Sequence, residues 1–575
     1  MNLKSMNLKN LIVKYQYSLI ILILLVLIVG IITILRINIQ IDIGPLSDSI
    51  DFYSYALLIA GHGYGYTDLL RPPFFPFVTS IFVLMGYNSI NTIFVSDGLF
   101  FIFGVVGLYL LLNLRFNEIE SFLGSLFYAT FPVVLAVLGV GFSDLASISL
   151  TIWAFYFTIL AVNRNSRFFY LSFPLAMLAF LTRYNSALLI FPIFLYLLIE
   201  RSRIFEGNTR NLKNMLIGIL LSFLILIPVF LFFYNNFGNI LYPFFNFSDN
   251  AGGVVAAQSE SFNSDPLFFI KTLPYFIGIQ GAIAVLIMIL CSFVVLINRV
   301  KSSMNFNFST KFNQFFEDIK ANEMATQLKF GFSVLLLAVF VVSFGKVHYM
   351  ATEILFFSAL LLICEILKNV KTKYFDMNIL FLGWFMTFLI FHSVYAIKDN
   401  RYFLIMAPPV AYFLILGLSE SVGMVQFKIR NQNILLPLTA IFLAVVMITT
   451  AFGSLPTISE ANNDTKVTNE QVEKISQWLV SYDPNIKNEN VYSDFWPTFS
   501  WYLQTNVKMV PIFQNNSMYP NGVKEYIITP EDSETYNNYL VKNNAYYYIS
   551  IRPGLNLTSY EVVKQISDVT IYKRK

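Results

Sequence analysis

Charged residues are scarce in this sequence. Asp, Glu, Lys and Arg make up 13% of the 575 residues, whereas hydrophobic residues make up 56%. A soluble domain carries about twice that charged fraction, so the composition excludes a soluble globular protein. The net charge of +4 is small and the basic residues are scattered along the chain, which gives no basic patch for binding nucleic acid.

Cysteine is almost absent as well. The two cysteines, Cys291 and Cys364, both lie in apolar stretches. This usage supports neither a disulfide framework nor a thiolate metal site, and we interpret both residues as small buried hydrophobic side chains. The sequence also lacks a glycine-rich loop of the kind that binds nucleotide phosphates. No cofactor is therefore indicated by these residues.

Long apolar runs dominate what is present. Crossing a membrane takes about 20 apolar residues, and thirteen stretches come close to this: 17–36, 91–113, 118–138, 144–162, 168–182, 185–200, 213–234, 273–298, 330–345, 350–367, 378–396, 402–418 and 433–453. The run 72–86 is apolar but short and holds three prolines, so we expect it to lie at the membrane face or to insert halfway. The sequence predicts a polytopic α-helical membrane protein, and its first span is predicted to be an uncleaved signal anchor.

The basic residues predict the orientation of these spans, because cytoplasmic loops carry an excess of Lys and Arg. With the N-terminus in the cytoplasm, the inner loops receive Arg115, Arg164, Arg167, Arg201, Arg203, Arg210, Lys213, Arg299, Lys301, Lys311, Lys320, Lys329, Lys368, Lys371, Lys373, Lys428 and Arg430. The outer loops receive only Arg71, Arg183, Lys271, Lys346, Lys398 and Arg401. Counting 72–86 as a full span would reverse every later loop. We therefore expect a multi-pass cell-membrane protein with a cytoplasmic N-terminus.

The tail of the chain differs from the rest. Residues 455–575 are richer in Asn, Lys, Glu and Asp and contain no long apolar run. An odd number of spans places them outside, so we predict a transmembrane domain over 1–454 and a small extracytoplasmic α/β domain over 455–575. Thr468–Gln471 has the pattern of a capping box and predicts a helix from there to Tyr482. Short strand-like runs follow at 490–492, 509–513, 546–551 and 569–573.

In this topology many ionisable and polar residues share the outer face. They are Asp48, Asp51 and Arg71 in the first outer loop (37–90), Asp144 in the second, Arg183 and Tyr184 in the third, and later Lys346, His348, His392, Lys398, Asp399, Arg401 and Tyr402. Ionisable groups at a membrane are costly and mark functional sites. Arginine forks suit phosphate oxygens, and carboxylates suit general-base chemistry or metal binding. The mixture predicts a substrate with a lipid tail, a phosphate and a polar head.

The first outer loop resembles that of a known family. Asp51-Phe52-Tyr53-Ser54-Tyr55 followed by Arg71-Pro72-Pro73 is similar to the pattern in C-type (GT-C) glycosyltransferases of the dolichyl-phosphate-mannose-protein mannosyltransferase and aminoarabinose transferase type. Further similar segments follow in order: Gly141–Leu145, Leu181–Tyr184, Asn400–Tyr402 with Pro408 and Pro409, Val491–Pro497 and Trp501–Leu503. Phe52 departs from the family, which often has Glu there. The Trp-Trp-Asp signature of oligosaccharyltransferases is absent from the sequence, so transfer of a whole glycan to Asn is not expected.

The resemblance implies a membrane glycosyltransferase that moves a hexose from a polyprenyl (dolichyl) phosphate to a lipid-linked glycan or a protein at the outer face, with inversion. It implies these roles: Asp51 as catalytic base, Asp48 sharing that task, Asp144 orienting sugar or acceptor, Arg71, Arg183 and Arg401 binding the donor phosphate, and Tyr55 and Tyr402 binding substrate. His348 and His392, from the outer-face group, are further substrate-binding candidates, with packing at the interface as the alternative. No metal ligand is assigned. A divalent cation (Mg²⁺ or Mn²⁺) stays an open alternative, against which Phe52 at the usual Glu position argues.

Other interpretations stay open beside this one. Asp51 and Asp48 could cap a surface helix, and the arginines could extend along the interface to lipid headgroups. A lipid or glycan transporter or flippase would carry ionisable residues within its spans and show repeat symmetry, whereas here the charges cluster at one face. A receptor or assembly protein with an outer binding domain would give Asp51, Arg71 and Asp144 no reason to converge.

Overall fold

The computed structural model describes residues 8–205, 209–245, 262–301, 324–367, 373–425, 428–429, 432–515, 517–519, 527–552 and 554–575. Residues 246–261 of the long loop 235–272 lie outside these ranges. So do five basic residues used for the orientation prediction: Lys311, Lys320, Lys368, Lys371 and Arg430. Within them, helices account for most of the chain and a small sheet lies near its C-terminus.

The helices of the apolar part are α1 (Leu8–Ile43), α2 (Ser47–Ile59), α3 (Phe74–Leu84), α4 (Asn91–Leu112), α5 (Glu118–Thr130), α6 (Pro132–Val137), α7 (Asp144–Asn163), α8 (Phe169–Thr182), α9 (Ile190–Ile199), α10 (Arg201–Phe205), α11 (Thr209–Phe237), α12 (Phe268–Lys271), α13 (Leu273–Lys301), α14 (Met324–Ser343), α15 (Tyr349–Ile366), α16 (Phe375–Val394), α17 (Ala407–Met424) and α18 (Leu435–Ala461). Short 3-10 turns at Tyr184–Leu189 and Asn400–Met406 lead into α9 and α17.

The predicted spans correspond to these helices. Ten helices in the described part of the chain are long and apolar enough to cross a membrane. The other three predicted spans coincide with shorter helices: the broken pair α5 and α6, the helix ending at Thr182, and the helix over Tyr184–Ile199. The break after α5 falls at Phe131, before Pro132, because proline disfavours helical geometry in the residue preceding it. The multi-pass membrane architecture is confirmed.

The run 72–86 forms only the 11-residue helix α3. At about 1.5 Å of rise per residue it is roughly 16 Å long, about half of the hydrocarbon thickness. Phe75 and Val83 on one face are buried against the bundle, whereas Phe77 and Leu84 are exposed. The helix is therefore too short to cross the membrane, in agreement with the prediction.

Helices α4 and α7 pack closely against each other. A side chain at Gly107 would bring its Cβ to 2.7 Å from Nε1 of Trp153, and a side chain at Gly104 would collide with Ser149. Small residues at such positions let two helices approach closely, which is how membrane helices gain packing energy. Trp153 donates to the carbonyl of Phe103 at 3.0 Å across this contact. The loops at the ends of α4 and α7 are thereby placed side by side.

The C-terminal part contains helices α19 (Asn463–Tyr482), α20 (Trp496–Leu503) and α21 (Pro530–Lys542). Its strands, after the short pair β1 (Lys428–Ile429) and β2 (Gln432–Asn433), are β3 (Val491–Ser493), β4 (Lys508–Met509), β5 (Ile512–Gln514), β6 (Ser517–Tyr519), β7 (Tyr547–Ser550), β8 (Tyr560–Ile566) and β9 (Val569–Arg574). The main sheet has the order β4-β3-β7-β9-β8, with β3 parallel to β4 and β7. A small α/β unit therefore follows the spans, as predicted.

The predicted start of α19 is wrong. Thr468 lies inside this helix, which begins at Asn463 and ends at Tyr482 as expected. Only Asn462 separates α18 from α19, so the chain has no free helix start at Thr468 that would need a capping box. The predicted boundary at 454 falls within α18, and the division into domains there stays a prediction.

Candidate active site

The first outer loop brings three carboxylates to one guanidinium. Asp48 and Asp51 lie three residues apart in α2, so both point to the same side of that helix. Nη2 of Arg71 lies 2.7 Å from Oδ1 of Asp48 and 2.6 Å from Oδ2 of Asp51. Nε of the same arginine lies 3.1 Å from Oδ2 of Asp68. The predicted convergence of Asp48, Asp51 and Arg71 is thus seen in the geometry, with Asp68 as an additional member.

Asp68 and Tyr66 were missed by the sequence reasoning. Asp68 precedes Arg71 by three residues in the same loop, a spacing that could have indicated an ion pair. Tyr66 donates a 2.5 Å hydrogen bond from its hydroxyl to Oδ1 of Asp51, and no local pattern announces that contact. The Asp51 carboxylate therefore has a partner on each oxygen, Tyr66 on one and Arg71 on the other.

Asp51 is the more basic of the two helix carboxylates. Burial raises the pKa of Asp51 to about 6, against the opposing charge of Arg71 and with a further contribution from Asp68. Burial also acts on Asp48, but Arg71 and Arg401 together hold the pKa of that carboxyl well below its ordinary value. A carboxylate whose pKa lies close to neutrality is the better proton acceptor at physiological pH.

Arg401 connects the first outer loop to a distant part of the chain. Its Nη1 donates to Oδ2 of Asp48 at 2.6 Å, and its backbone N–H donates to Asp399 at 2.9 Å. The guanidinium also lies over the rings of Phe142 and Tyr402, with its carbon 5.0 and 5.7 Å from their centroids. Cation–π contacts of this kind are characteristic of arginine. Asp48 is therefore held between Arg71 and Arg401.

A second ion pair forms the opposite side of the site. Asp144, at the first position of α7, accepts a hydrogen bond from Arg183, which follows the end of α8. The Arg183 guanidinium lies over the ring of Tyr402 at 5.4 Å, and the ring of His392 is stacked on Tyr402 at 5.1 Å. Loops that are far apart in sequence thus bring Asp144, Arg183, His392 and Tyr402 together.

These side chains surround a cavity of about 500 Å³. Its lining includes Asp48, Phe52, Asp68, Leu70, Arg71, Pro72, Ser143, Asp144, Arg183, Tyr184, Asn185, Pro243, Phe391, His392, Tyr395, Arg401 and Tyr402. All three predicted arginines line it, and so do two of the three predicted carboxylates. Asp51 does not: it is 5% exposed and lies behind Arg71. Only Asp48 of the α2 pair faces the cavity in this conformation.

Two predicted substrate-binding residues lie elsewhere. His348 is exposed, and its Nδ1 accepts from the backbone N–H of Met350 at the start of α15, so it acts as a helix cap. Tyr55 lines a separate apolar groove of about 340 Å³. The groove is lined by Tyr55, Ile59, Pro73, Phe74, Phe77, Leu178, Leu181, Ile225, Pro228, Val229 and Phe232. Pro72 lines the cavity and Pro73 the groove, so the two spaces adjoin.

The described residues do not fit a resident metal ion. No group of three or more His, Cys, Asp or Glu side chains in this part of the chain is placed to hold one. Asp48, Asp51 and Asp68 do converge, but each is paired with Arg71, whose guanidinium takes the position that a cation would need. These ion pairs leave no site for Mg²⁺ or Mn²⁺ among the described residues.

The chain is similar to known proteins in two ways. Residues 70–232 match the family model of dolichyl-phosphate-mannose-protein mannosyltransferase. The fold is similar to that of ArnT from Cupriavidus metallidurans in the apo state, with a TM-score of 0.50 at 13% identity over 95% of this chain and 97% of ArnT. No curated protein sequence matches the chain.

Two other solved structures give comparable values. ArnT from Cupriavidus metallidurans bound to undecaprenyl phosphate has a TM-score of 0.48 at 13% identity, over 95% of this chain and 97% of that one. The Archaeoglobus fulgidus oligosaccharyltransferase tethered with an acceptor peptide has a TM-score of 0.49 at 13% identity, over 93% and 69%.

At 13% identity the likeness to ArnT is one of fold, while the family match covers the segment that carries Arg71, Asp144 and Arg183. Together they make the chain a multi-pass membrane glycosyltransferase with the GT-C fold. The resemblance seen in the sequence motifs is thereby confirmed. Asp48 and Asp51 lie before the matched segment, and their roles rest on the geometry of the site.

Proposed function

We propose that this glycosyltransferase takes its sugar from a polyprenyl-phosphate donor and transfers it, with inversion, to a lipid-linked glycan or a protein at the extracytoplasmic face. The observation that supports this most directly is the junction of two unlike spaces at Arg71-Pro72-Pro73. On one side lies a charged cavity with three arginines, and on the other an apolar groove at the level of the spans. A donor that joins a phosphosugar to a long hydrocarbon tail needs both.

The tail of the donor lies in the groove between α2, α3, α8 and α11. Its walls are Tyr55, Phe74, Leu181 and Phe232 among others. Because the tail comes from the equally apolar bilayer, the groove binds it by van der Waals packing. Tyr55 and Phe232 are stacked at 5.9 Å between ring centroids. Tyr55 thus serves the substrate through its ring, next to the lipid tail.

The donor phosphate enters the cavity beside the arginines. Arg71 is bonded to three carboxylates and Arg401 to two, whereas Arg183 is paired with Asp144. Arg71 adjoins the groove, so it meets the phosphate first and exchanges part of its carboxylate pairing for phosphate oxygens. This movement frees Asp51 on the cavity side. The positive charges then stabilise the polyprenyl phosphate as it leaves.

The sugar occupies the cavity between Asp144 and Tyr402. Asp144 orients its hydroxyls or those of the acceptor, and the stacked rings of His392 and Tyr402 form a flat wall beside it. The acceptor oxygen attacks the anomeric carbon and gives its proton to Asp51. The bond from that carbon to the phosphate oxygen breaks, its electron pair leaves with polyprenyl phosphate, and the configuration inverts.

The choice of Asp51 as base follows from its pKa. The pKa of about 6 lets it be ionised at neutral pH and still accept a proton. Asp48 faces the cavity, but its two arginines depress its pKa and make it a weak acceptor. We assign Asp48 to holding Arg71 and Arg401. The predicted shared role of Asp48 as a base is not part of this proposal.

The orientation proposed here follows the charge rule. The N-terminus lies in the cytoplasm, so the cavity and residues 463–575 lie outside, where nucleotide-activated sugars are absent and a lipid-linked donor is needed. His348, an exposed helix cap, has no role in this mechanism.

The test is sugar transfer by the purified protein. Synthetic polyprenyl-phosphate mannose, glucose and galactose carrying a radiolabel are offered with a Ser/Thr-containing peptide or a lipid-linked oligosaccharide. We expect transfer from at least one donor, inverted anomeric configuration in the product, and loss of transfer with Asp51→Asn. Absence of transfer and of donor cleavage with all donors, together with movement of labelled lipid across vesicles, would favour the transporter alternative.

A further inference from the structure

Two charged side chains inside the bundle have no place in the mechanism above. Arg36 of α1 and Asp97 of α4 are both buried, with 1% and 0% of their surfaces exposed. Burying ionisable groups at the depth of a membrane is costly, and such residues are usually functional. Both contact one short stretch of chain, residues 135–141, which runs from the end of α6 toward Asp144.

Arg36 holds the first part of this stretch. Its Nε donates to the carbonyl of Leu135 at 3.0 Å and its Nη2 to the carbonyl of Ala136 at 3.1 Å. The same Nη2 lies 3.1 Å from the side-chain oxygen of Gln40. These carbonyls belong to the last turn of α6, where a helix has no partners of its own.

Asp97 holds the second part. Its Oδ2 accepts a 3.3 Å hydrogen bond from the backbone N–H of Gly141. Gly141 and Gly139 both have positive φ angles, +87° and +71°, which a side chain would disfavour. A Cβ at either position would also come within 2.9 Å of a neighbouring isoleucine. The backbone of the turn Gly139–Gly141 therefore has one specific conformation, which a side chain at either glycine would disrupt.

A third contact joins this turn to α2, the helix that carries Asp48 and Asp51. Ser49 stands next to Asp48 in α2, and its hydroxyl donates to the carbonyl of Val140 at 2.7 Å. Val140 is the central residue of the turn, and Asp144 begins α7 three residues after Gly141. The turn thus lies just before α7, which carries Asp144. It is hydrogen-bonded to α2 through Ser49 and to α4 through Asp97.

We propose that Ser49 and Asp97 are positioning residues for glycosyl transfer: together they hold the Gly139–Gly141 turn so that the Asp48 and Asp51 side of the cavity keeps a fixed spacing from Asp144. This inference rests on the proposed function. The distance across the cavity sets how the acceptor oxygen meets the anomeric carbon, and a misplacement of about 1 Å costs on the order of 100-fold in rate.

The variants remove each contact and then restore it. Ser49→Ala removes the hydroxyl that binds Val140, and Ser49→Thr keeps a hydroxyl there. Asp97→Leu removes the acceptor for Gly141, and Asp97→Asn keeps an acceptor oxygen. Ser96→Ala is the matched control, because this buried hydroxyl donates to the carbonyl of Thr92 in its own helix.

The readouts are kcat and donor KM per folded molecule, with melting temperature measured in parallel. The donor is the labelled polyprenyl-phosphate hexose that wild type uses fastest. We expect Ser49→Ala and Asp97→Leu to lower kcat about tenfold or more, with donor KM changed less than about twofold. Ser49→Thr and Asp97→Asn should recover most of the rate. The Ser49→Ala/Asp97→Leu double variant should be little slower than the slower single variant, because both act on one turn.

A purely structural role predicts something different. Ser49→Ala would then lower the melting temperature while kcat per folded molecule stayed equal to that of Ser96→Ala, and this result would overturn the inference. If Asp97→Leu fails to fold, the comparison of Ser49→Ala with Ser49→Thr decides alone. Failure of the proposed function is a separate outcome, since wild type itself would then transfer no sugar.

Discussion

Asp48 and Arg401 are joined by a 2.6 Å hydrogen bond although 353 residues separate them in the chain. The bond closes one side of the cavity, because Asp48 lies in α2 and Arg401 in the 3-10 turn before α17. The other oxygen of Asp48 is bonded to Arg71. Asp48 therefore organises two arginines at once, while Asp51 next to it has only one arginine and a tyrosine hydroxyl.

This difference predicts the pH dependence of the reaction. The pKa of Asp51 is about 6, and a base acts in its deprotonated form, so kcat/KM should rise with pH through about 6 and level off above it. Asp51→Asn should lose about 100-fold or more in rate at neutral pH. A pH–rate profile of wild type and Asp51→Asn checks this. Asp68→Asn should keep the rise but move it to lower pH, because the charge of Asp68 contributes to the raised pKa of Asp51. An unchanged rate in Asp51→Asn would remove it as the base.

Asp48→Asn should behave differently from Asp51→Asn. Because the pKa of Asp48 is already far below the working range, its loss cannot remove the rise in rate near pH 6. It should weaken donor binding, since Arg71 and Arg401 lose their shared partner. We expect a higher donor KM with the pH profile still in place. Disappearance of the rise near pH 6 in Asp48→Asn would instead make Asp48 the proton acceptor.

The apolar groove predicts a dependence on the length of the donor tail. Phe232→Ala removes a ring from the groove wall and should raise KM for long-tailed donors by about tenfold, the equivalent of roughly 1.4 kcal/mol of lost packing. Donors with very short tails should show little change. Phe223→Ala on the same helix is the control, since Phe223 is exposed and outside the groove. Equal effects on short and long tails would contradict the assignment.

The C-terminal unit contacts the chain just before α2. Asn469, a buried residue of α19, donates from Nδ2 to the carbonyls of Ile43 and Pro45 at 3.0 and 3.1 Å. Asn469→Ala leaves two buried carbonyls without that donor and should cost about 1–3 kcal/mol of stability, measured as a lower melting temperature. Lys466→Met breaks the exposed ion pair with Asp42 and should lower the melting temperature much less, because solvent screens such a pair. A similar small loss in Asn469→Ala would show that the contact is dispensable.

The orientation is open to a labelling test. Single cysteines at the exposed positions Glu561 and Arg164, in a background with Cys291 and Cys364 replaced by Ala, report on opposite faces. A membrane-impermeant maleimide added to intact cells should label Glu561→Cys at once and Arg164→Cys only after permeabilisation. The opposite pattern would place the cavity in the cytoplasm and remove the reason for a lipid-linked donor.

Much of the fold was predictable because its signals are local. Apolar length identified the thirteen helical segments, and the prolines of 72–86 distinguished a short helix from a span. The motif resemblance led to the correct fold, as the family and structural matches confirm. In the C-terminal unit, short strand-like runs located β3, β7 and β9. The predicted run 509–513 is divided between β4 and β5, and β6 and the polar strand β8 were missed.

The sequence by itself determined which long apolar segments form helices and where charged residues collect, since helix length and charge are properties of neighbouring residues. Its motifs also indicated the class of enzyme. The tertiary structure alone decided the partners: Arg401 on Asp48, Tyr66 on Asp51, Tyr55 in the groove and His348 outside the cavity. Such contacts join segments tens to hundreds of residues apart, and they depend on how helices pack. Local periodicity carries no information about that packing.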